Sequence, residues 1–324
     1  MLSVLIVGCG KIAGGSTETG SEAMFSHAGA YRHHGGFRLI SCVDPDEEKL
    51  SRFKKKWDVE HQFTDLNGAI SSGLNYDVVS ICSPSAYHAT DLRMALTARP
   101  KMVFCEKPLT MDLSKAEQIV QAYQEEKIRL GVNFTRRWDP EIRAFKKDLH
   151  ADYWGAVRSG VGYYNKGIFN NGSHMIDLVQ NLLGPLDLIS SGPPHFDYFD
   201  DDPSVPALLT AHPDIPVHLV PGAANDYALF ELHIVTEKGI VAIEESGFKW
   251  RERKVENEPR FADYFFLGED QQRKGRYSDA MNLAGENVFE SITDGASFAC
   301  SGEMALGTQR LVHEIYERSN SHRK

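Results

Sequence analysis

The chain begins with an apolar segment, Leu2-Ser3-Val4-Leu5-Ile6-Val7, that runs without a break into Gly8-Cys9-Gly10-Lys11-Ile12-Ala13. Few folds can use such a start. The pattern reads as Gly-x-Gly-x-x-Ala, the turn by which a buried parallel strand hands over to a helix N-terminus. Glycines there let backbone N–H groups approach a pyrophosphate closely. A glycine pattern alone is weak, but this one is answered by Phe37-Arg38-Leu39-Ile40-Ser41-Cys42-Val43, a second apolar strand that ends in Asp44. A carboxylate at that point accepts hydrogen bonds from adenosine ribose hydroxyls and repels a 2′-phosphate, which favours NAD over NADP. The competing reading is an ordinary glycine turn with a solvated aspartate.

One departure separates this start from the common spacing. The acid usually follows the fingerprint by about 20 residues, whereas Ala13 and Asp44 are 31 apart. The excess lies in a polar, glycine-rich stretch from Gly14 to Glu22, read as a loop inserted before a helix near His27 to His34.

At 324 residues the chain suits two domains. A net charge of −10 argues against nucleic acid or an anionic membrane as partner. No apolar run reaches the ~18 residues of a membrane span. The N-terminus enters its first strand without a basic start, so no signal peptide is expected and a cytoplasmic location is. The five cysteines show no Cys-x-x-Cys spacing, which reads as reduced, buried thiols. His33, His34, His212 and His218 have no ligand spacing either, and no metal is expected.

Strand-like and helix-like segments alternate as far as about residue 132. Asp46 to Trp57 is helical, Tyr76 to Cys82 an apolar strand, Ala86 to Ala98 a helix and Lys101 to Cys105 another buried strand. Ser114-Lys115-Ala116-Glu117 reads as a capping box opening a helix to Lys127, and Ile128 to Phe134 as a further strand. Repeated βαβ units of this kind build a doubly wound parallel sheet. Beyond that point the pattern changes. Helices are expected near 140–149 and 174–183, a half-exposed strand over 156–164, and a hairpin from Ala228–Val235 and Gly239–Glu244 turning at Glu237-Lys238-Gly239. A last helix covers about 302–318. The expected architecture is an α/β N-terminal Rossmann domain over 1–132 plus an α+β domain with a mostly antiparallel open sheet over 133–324. Residues 184–225 hold eight of the fourteen prolines and read as a long ordered loop running over the surface or into an interface.

At the end of the fifth strand stands Glu106-Lys107-Pro108. Ligands of doubly wound sheets sit beyond the carboxyl ends of strands, so Lys107 is expected to face the cofactor, with Pro108 fixing the turn and able to take a cis bond. The other reading is a surface lysine in a loop. The Gly-x-Gly start, Ser83-Pro84 with His88 following, Glu106-Lys107-Pro108, the Asn133-to-Pro140 segment and Gly172-Ser173-His174-Met175-Ile176-Asp177 occur in one order. Together they resemble the glucose–fructose oxidoreductase / inositol dehydrogenase / rhizopine catabolism (Gfo/Idh/MocA) family. The resemblance implies NAD-dependent hydride transfer to or from a hydroxyl or carbonyl of a sugar, cyclitol or sugar nucleotide. It also implies a homodimer or homotetramer formed through the C-terminal sheet.

The resemblance matches Lys107 to the family's catalytic lysine and His174 to its histidine acid/base. An ammonium stabilises developing alkoxide charge, and an imidazole exchanges the hydroxyl proton. It also gathers Gly8, Gly10, Lys11, Ile12, Asp44, Ser83, Pro84, His88, Glu106 and Lys107 about the cofactor. Many members carry an aspartate four residues before the histidine; this chain has Asn170. An amide hydrogen-bonds a sugar hydroxyl but carries no charge to stabilise an imidazolium. Asn170 therefore counts with both the catalytic and the substrate-binding residues. Arg136 and Arg137 suit an anionic substrate group or a structural ion pair. Tyr163, Tyr164 and Lys166 lie within reach of a substrate, although one of the two tyrosine rings should enter the core. Asp177 either orients His174 or caps its helix. Two alternatives stay open: an NAD-recycling enzyme that processes glycosides, and a non-catalytic dinucleotide sensor or scaffold.

Overall fold

A computed structural model describes residues 1–15, 25–261 and 263–323. Most of the loop expected over 14–26 therefore lies outside the described residues. The chain groups into two compact units, Met1–Asp139 with Ser278–Gly307, and Pro140–Tyr277 with Thr308–Lys324.

The first unit is built on six parallel strands: β1 (Leu2–Val7), β2 (Phe37–Val43), β3 (His61–Phe63), β4 (Val78–Ile81), β5 (Met102–Cys105) and β6 (Arg129–Val132). Their order is β3-β2-β1-β4-β5-β6, the doubly wound order in which the chain reverses direction between β1 and β4. The strands read as continuous apolar runs because both faces of the sheet are covered. Val4, Leu5, Ile6, Val78, Val79, Val103 and Phe104 are all inaccessible to solvent. The helices between them are α1 (His27–His34), α2 (Glu47–Trp57), α3 (Leu66–Ser71), α4 (His88–Thr97) and α5 (Leu113–Glu125).

Helix α5 is capped two residues before the expected capping residue, Ser114. Asp112 is the cap and accepts the Lys115 N–H at 2.9 Å; a carboxylate at the positive end of a helix outcompetes the Ser114 hydroxyl. The return of 278–307 to this unit departs from an expected second domain running unbroken from 133 to the end. Helix α8 (Ala280–Thr293) packs on α1, where Gly285 lies against Ala30. Next to it the Val132 N–H donates to the Cys300 carbonyl at 3.0 Å, and Gly131 pairs with Ser301, covering the edge of β6. That edge would otherwise expose unpaired backbone groups.

The second unit carries a nine-stranded sheet. Its strands are β7 (Val157–Tyr164), β8 (Leu186–Ser191), β9 (Ala207–Ala211), β10 (Ile215–Pro221), β11 (Phe230–Thr236), β12 (Gly239–Glu244), β13 (Lys249–Asn257), β14 (Phe265–Leu267) and β15 (Gln271–Lys274). The order is β14-β13-β12-β11-β7-β10-β9-β8, with β15 beside β13. Among the described residues of this sheet only β7 and β10 pair in parallel. Helices α6 (Pro140–His150), α7 (Ser173–Leu183) and the later turns of α9 (Gly302–Ser319) supply Ile142, Phe145, Ile176, Val179, Leu311 and Ile315 to a core. They pack with Tyr164, Val217, Leu232, Ile234 and Trp250 from one face of the sheet. Gly162 has no room for a side chain: a Cβ there would lie 2.7 Å from Met175 of α7.

The proline-rich segment is not an irregular excursion. It contributes β8, β9 and β10, and β10 sits in the sheet interior. Its prolines, Pro216 and Pro221, stand near the two ends of the strand, where missing N–H donors do least harm. Prolines concealed these strands by breaking the apolar alternation.

Leu232, fully buried at the centre of β11, anchors the core of this unit. Leu232→Ala should cost about 2–5 kcal/mol of stability. Val235→Ala, on the half-buried opposite face, should cost less than about 1 kcal/mol. Urea titration of both variants checks this ordering.

Candidate active site

In the first unit the strands end together. Val43, Val7, Ile81, Cys105 and Val132 form one cross-sheet row, so the residues that follow, Asp44, Gly8, Cys82, Glu106 and Asn133, make up the carboxyl edge. Doubly wound sheets bind ligands at this edge, beside the point of reversal. Gly8 stands there with φ of 89°. A Cβ on it would fall 2.7 Å from the Cys82 carbonyl and the Ser83 nitrogen, so no other residue fits. Among the described residues, nothing lies within 4 Å of where a Gly10 Cβ would be. These two glycines fit a dinucleotide pyrophosphate. Residues 11–15 form one wide helical turn closed by the Gly15 N–H on the Gly10 carbonyl at 2.8 Å. Lys11 and Ile12 lie on its exposed side.

Asp44 is 8% exposed. One carboxylate oxygen accepts the Cys9 N–H at 2.8 Å and the other the Asp46 N–H at 2.9 Å. Each oxygen keeps a second lone pair for a hydroxyl donor, and the same carboxylate braces the glycine turn. A hydrogen bond with the Cys42 thiol, together with burial, pushes the Cys9 thiol well up, so it stays protonated. All five cysteines are buried thiols outside any disulfide.

Glu106 is the hub of the edge. His27 Nε2 lies 3.0 Å from its Oε1, and the Asn133 amide donates to the same oxygen at 2.6 Å. Burial pushes this carboxyl up. The hydrogen bond and charge of His27, the Asn133 amide and the Lys107 ammonium outweigh burial and hold it below the usual carboxylate range. Lys107 follows, half-buried, and its bond to Pro108 is cis. His88 is wholly buried. Its Nδ1 lies 2.6 Å from the Pro108 carbonyl and its Nε2 2.9 Å from the Ser83 carbonyl. It ties the Ser83-Pro84 loop to the Glu106-Lys107-Pro108 loop, and any effect on a cofactor runs through those loops. The Ser83 hydroxyl donates to Asp91 at 2.5 Å, and burial raises the Asp91 carboxyl.

Arg136 and Arg137 lie in a short turn after β6 and are 9% and 8% exposed. Arg137 donates to the Ala299 carbonyl at 3.1 Å within the same unit, which serves the structural reading of this residue.

The remaining candidates belong to the second unit. Asn170 lies in a wide helical turn, Gly167–Gly172, that runs directly into α7. His174 is in the first turn of α7 and half-buried. Asp177 is 1% exposed and accepts the Thr308 hydroxyl at 3.3 Å. Tyr164 is the ring that enters the core; its hydroxyl donates to the Val205 carbonyl at 2.8 Å. Tyr163 points to the other face and meets His233 edge-on at 5.2 Å. On that face Glu231, His233 and Glu244 bring ligand-type atoms within 4.8 Å of one another. Glu244 is already paired with Arg251 at 2.9 Å and Lys249 at 3.5 Å, and both compete with a metal ion.

Two parts of this arrangement had no signal in the sequence. His27 reaches Glu106 across 79 residues, and Asn133, although within a recognised segment, had no role until its amide was seen on Glu106.

Residues 2–134 match the family described as "Oxidoreductase family, NAD-binding Rossmann fold" (GFO_IDH_MocA). The chain is 26% identical to the inositol 2-dehydrogenase of Rhizobium meliloti over 231 residues, 67% of this chain and 63% of that protein. It is 33% identical to the myo-inositol 2-dehydrogenase of Thermotoga maritima over 109 residues, 34% of this chain and 32% of that one. The matches thus span less than two thirds of either relative. The WlbA dehydrogenase from Bordetella pertussis, solved with NADH and UDP-GlcNAcA, superposes with a TM-score of 0.81 at 18% identity. That likeness covers 99% of this chain and 96% of the other, and it shows the shared fold. The resemblance drawn from the motifs holds.

Glu106 has its pKa depressed in the folded state. Its ionised form therefore stabilises the fold above the ordinary carboxyl value near ~4.3, and that stability is lost as pH falls through the lower folded value. Glu106→Gln removes this dependence. Urea midpoints measured from about pH 5 to pH 3 should fall less steeply for the variant than for the unmodified chain.

Proposed function

We infer that this chain, whose residues 2–134 carry the NAD-binding Rossmann fold of the Gfo/Idh/MocA oxidoreductases, moves a hydride between NAD and a hydroxyl or carbonyl carbon of a sugar or cyclitol. One observation carries the reading: the glycine turn, Asp44 and the Glu106-Lys107-Pro108 loop converge on the carboxyl edge of that sheet, at its point of reversal. The 1–132 segment supplies the cofactor side. Beyond it, His174 and Asn170 are assigned to the substrate.

NAD, when bound, would supply the hydride acceptor or donor. Gly8 and Gly10, with Lys11 and Ile12 beside them, would hold its pyrophosphate against the backbone, and Asp44 would accept hydrogen bonds from the ribose hydroxyls. Glu106, ionised and held by His27 and Asn133, keeps a negative charge next to Lys107, which favours the ammonium form. That ammonium steadies negative charge developing on the substrate oxygen. His174 takes the hydroxyl proton in oxidation and returns it in reduction. Asn170 hydrogen-bonds the substrate without adding charge to the proton path. Tyr163 and Arg136 are further candidates for contact with the substrate.

A homodimer or homotetramer in the cytoplasm belongs to the same proposal. It draws support from the half-buried sheet face bearing Val161, Tyr163 and Val235. No described helix is long and apolar enough to cross a membrane.

The test is nicotinamide absorbance at 340 nm, followed with a panel of neutral sugars and cyclitols. Lys107→Ala should leave NAD affinity nearly unchanged and lower turnover about 100-fold or more. Normal turnover in that variant would return Lys107 to the surface-residue reading.

Asp44 supports a second expectation, on cofactor choice. Calorimetry should show NAD bound more tightly than NADP. Asp44→Ala should weaken both cofactors, because the glycine turn loses its acceptor, and should narrow the gap between them.

A further inference from the structure

The turn that carries Asn170 into the His174 helix is a helix start, and helix starts leave their first N–H groups without partners inside the helix. Here five consecutive N–H groups are taken by a single neighbouring segment. Lys166 N–H donates to Asp197 Oδ2 at 3.0 Å and Gly167 N–H to Ser204 Oγ at 3.0 Å. Ile168 N–H donates to the Pro203 carbonyl at 2.8 Å. Phe169 and Asn170 N–H groups donate to the two carboxylate oxygens of Asp202, each at 2.9 Å.

The acceptors are themselves fixed. Ser204 Oγ donates to Asp197 Oδ1 at 2.8 Å, and Asp197 Oδ2 also accepts the Ala224 N–H at 3.1 Å. Ser204 and His195 exchange backbone hydrogen bonds in both directions, each at 2.8 Å. The Tyr164 hydroxyl closes the assembly by accepting the Val205 N–H at 2.8 Å. Gly167, at φ of 86°, lies against the Asp202 carboxylate, which occupies the place where a side chain would stand. Among Asp200, Asp201 and Asp202 the first two are exposed, and only the third turns in to the helix start.

We propose that Asp202 is a positioning residue for the Asn170–His174 segment. Its carboxylate bridges adjacent N–H groups at the positive end of the helix, a charge-assisted arrangement about twice as strong as a neutral pair. It fixes the backbone of Asn170 itself, four residues before His174. The segment between β8 and β9 is on this account a brace for the substrate-side residues. The proposal rests on the catalytic reading above for its effect on turnover, while its structural content stands apart from that reading.

The test uses the full chain with Asp202→Ala, Asp202→Asn and, as a control for charge, Asp201→Ala. Three quantities are measured: amide hydrogen exchange in peptides covering 166–174, NAD affinity, and kcat and KM with the best substrate of the sugar panel. In Asp202→Ala exchange at 166–170 should rise about 10-fold or more. NAD affinity should stay within about 2-fold, and kcat should fall about 10-fold or more with a smaller change in KM. Asp202→Asn keeps one oxygen acceptor and should recover part of both losses. Asp201→Ala should change neither.

Unchanged exchange in Asp202→Ala would overturn the brace. Raised exchange with normal kcat would overturn its positioning role, and equal losses in Asp201→Ala would reduce it to a charge effect. If Asp202→Ala loses NAD binding through misfolding, Asp202→Asn carries the same comparison. If the unmodified chain oxidises nothing in the panel, the catalytic reading falls, and exchange alone decides whether Asp202 holds the segment.

Discussion

The first unit depends on how closely the backbone of Gly8 lies to that of Cys82 and Ser83. At 2.7 Å from a Cβ that is not there, the two strands flanking the point of reversal end side by side with no side chain between them. The glycine turn can then present its N–H groups at the sheet edge, and Asp44 can reach back to the Cys9 N–H. The loops after β4 and β5 come near enough for one buried imidazole, His88, to span them. A larger residue at position 8 would push the β1 turn off β4, and each of these contacts would lengthen together.

Around that constraint the structure places charge sparingly. Glu106 is the carboxylate at the centre of the edge, and it remains ionised because His27, Asn133 and Lys107 offset its burial. Burial by itself pushes the carboxyl up. The second unit handles charge in a comparable way at the start of its helix. Asp197 and Asp202 meet a row of N–H groups that would otherwise lack partners. In both places an acid is stabilised by donors from a distant part of the sequence, and in both the acid adjoins a residue proposed to act on substrate.

Much of the fold was legible from local pattern. Apolar runs marked β1, β2, β4 and β5, because a strand buried on both faces has no polar side to show. Period-2 alternation marked β7 and the β11–β12 hairpin, which have one covered face. The pattern failed where prolines interrupt it, hiding β8, β9 and β10, and at short or polar elements such as β3, β15 and α3. Helix α8 was missed as well, and its membership in the first unit follows from packing on α1, which no local pattern encodes.

The candidate site divides along the same line. The sequence by itself determined the glycine turn, the acid ending β2, the lysine loop after β5 and the family they resemble, because each is a short segment whose chemistry is set by near neighbours. Tertiary structure alone decided that His27 and Asn133 share Glu106, that His88 spends both ring nitrogens on loop carbonyls, and that Asp202 holds the turn bearing Asn170. Apart from Ser83, five residues from His88, those partners stand 20 or more residues apart in the chain. A hydrogen bond requires about 3 Å between heavy atoms, and only the folded backbone brings such residues within that distance.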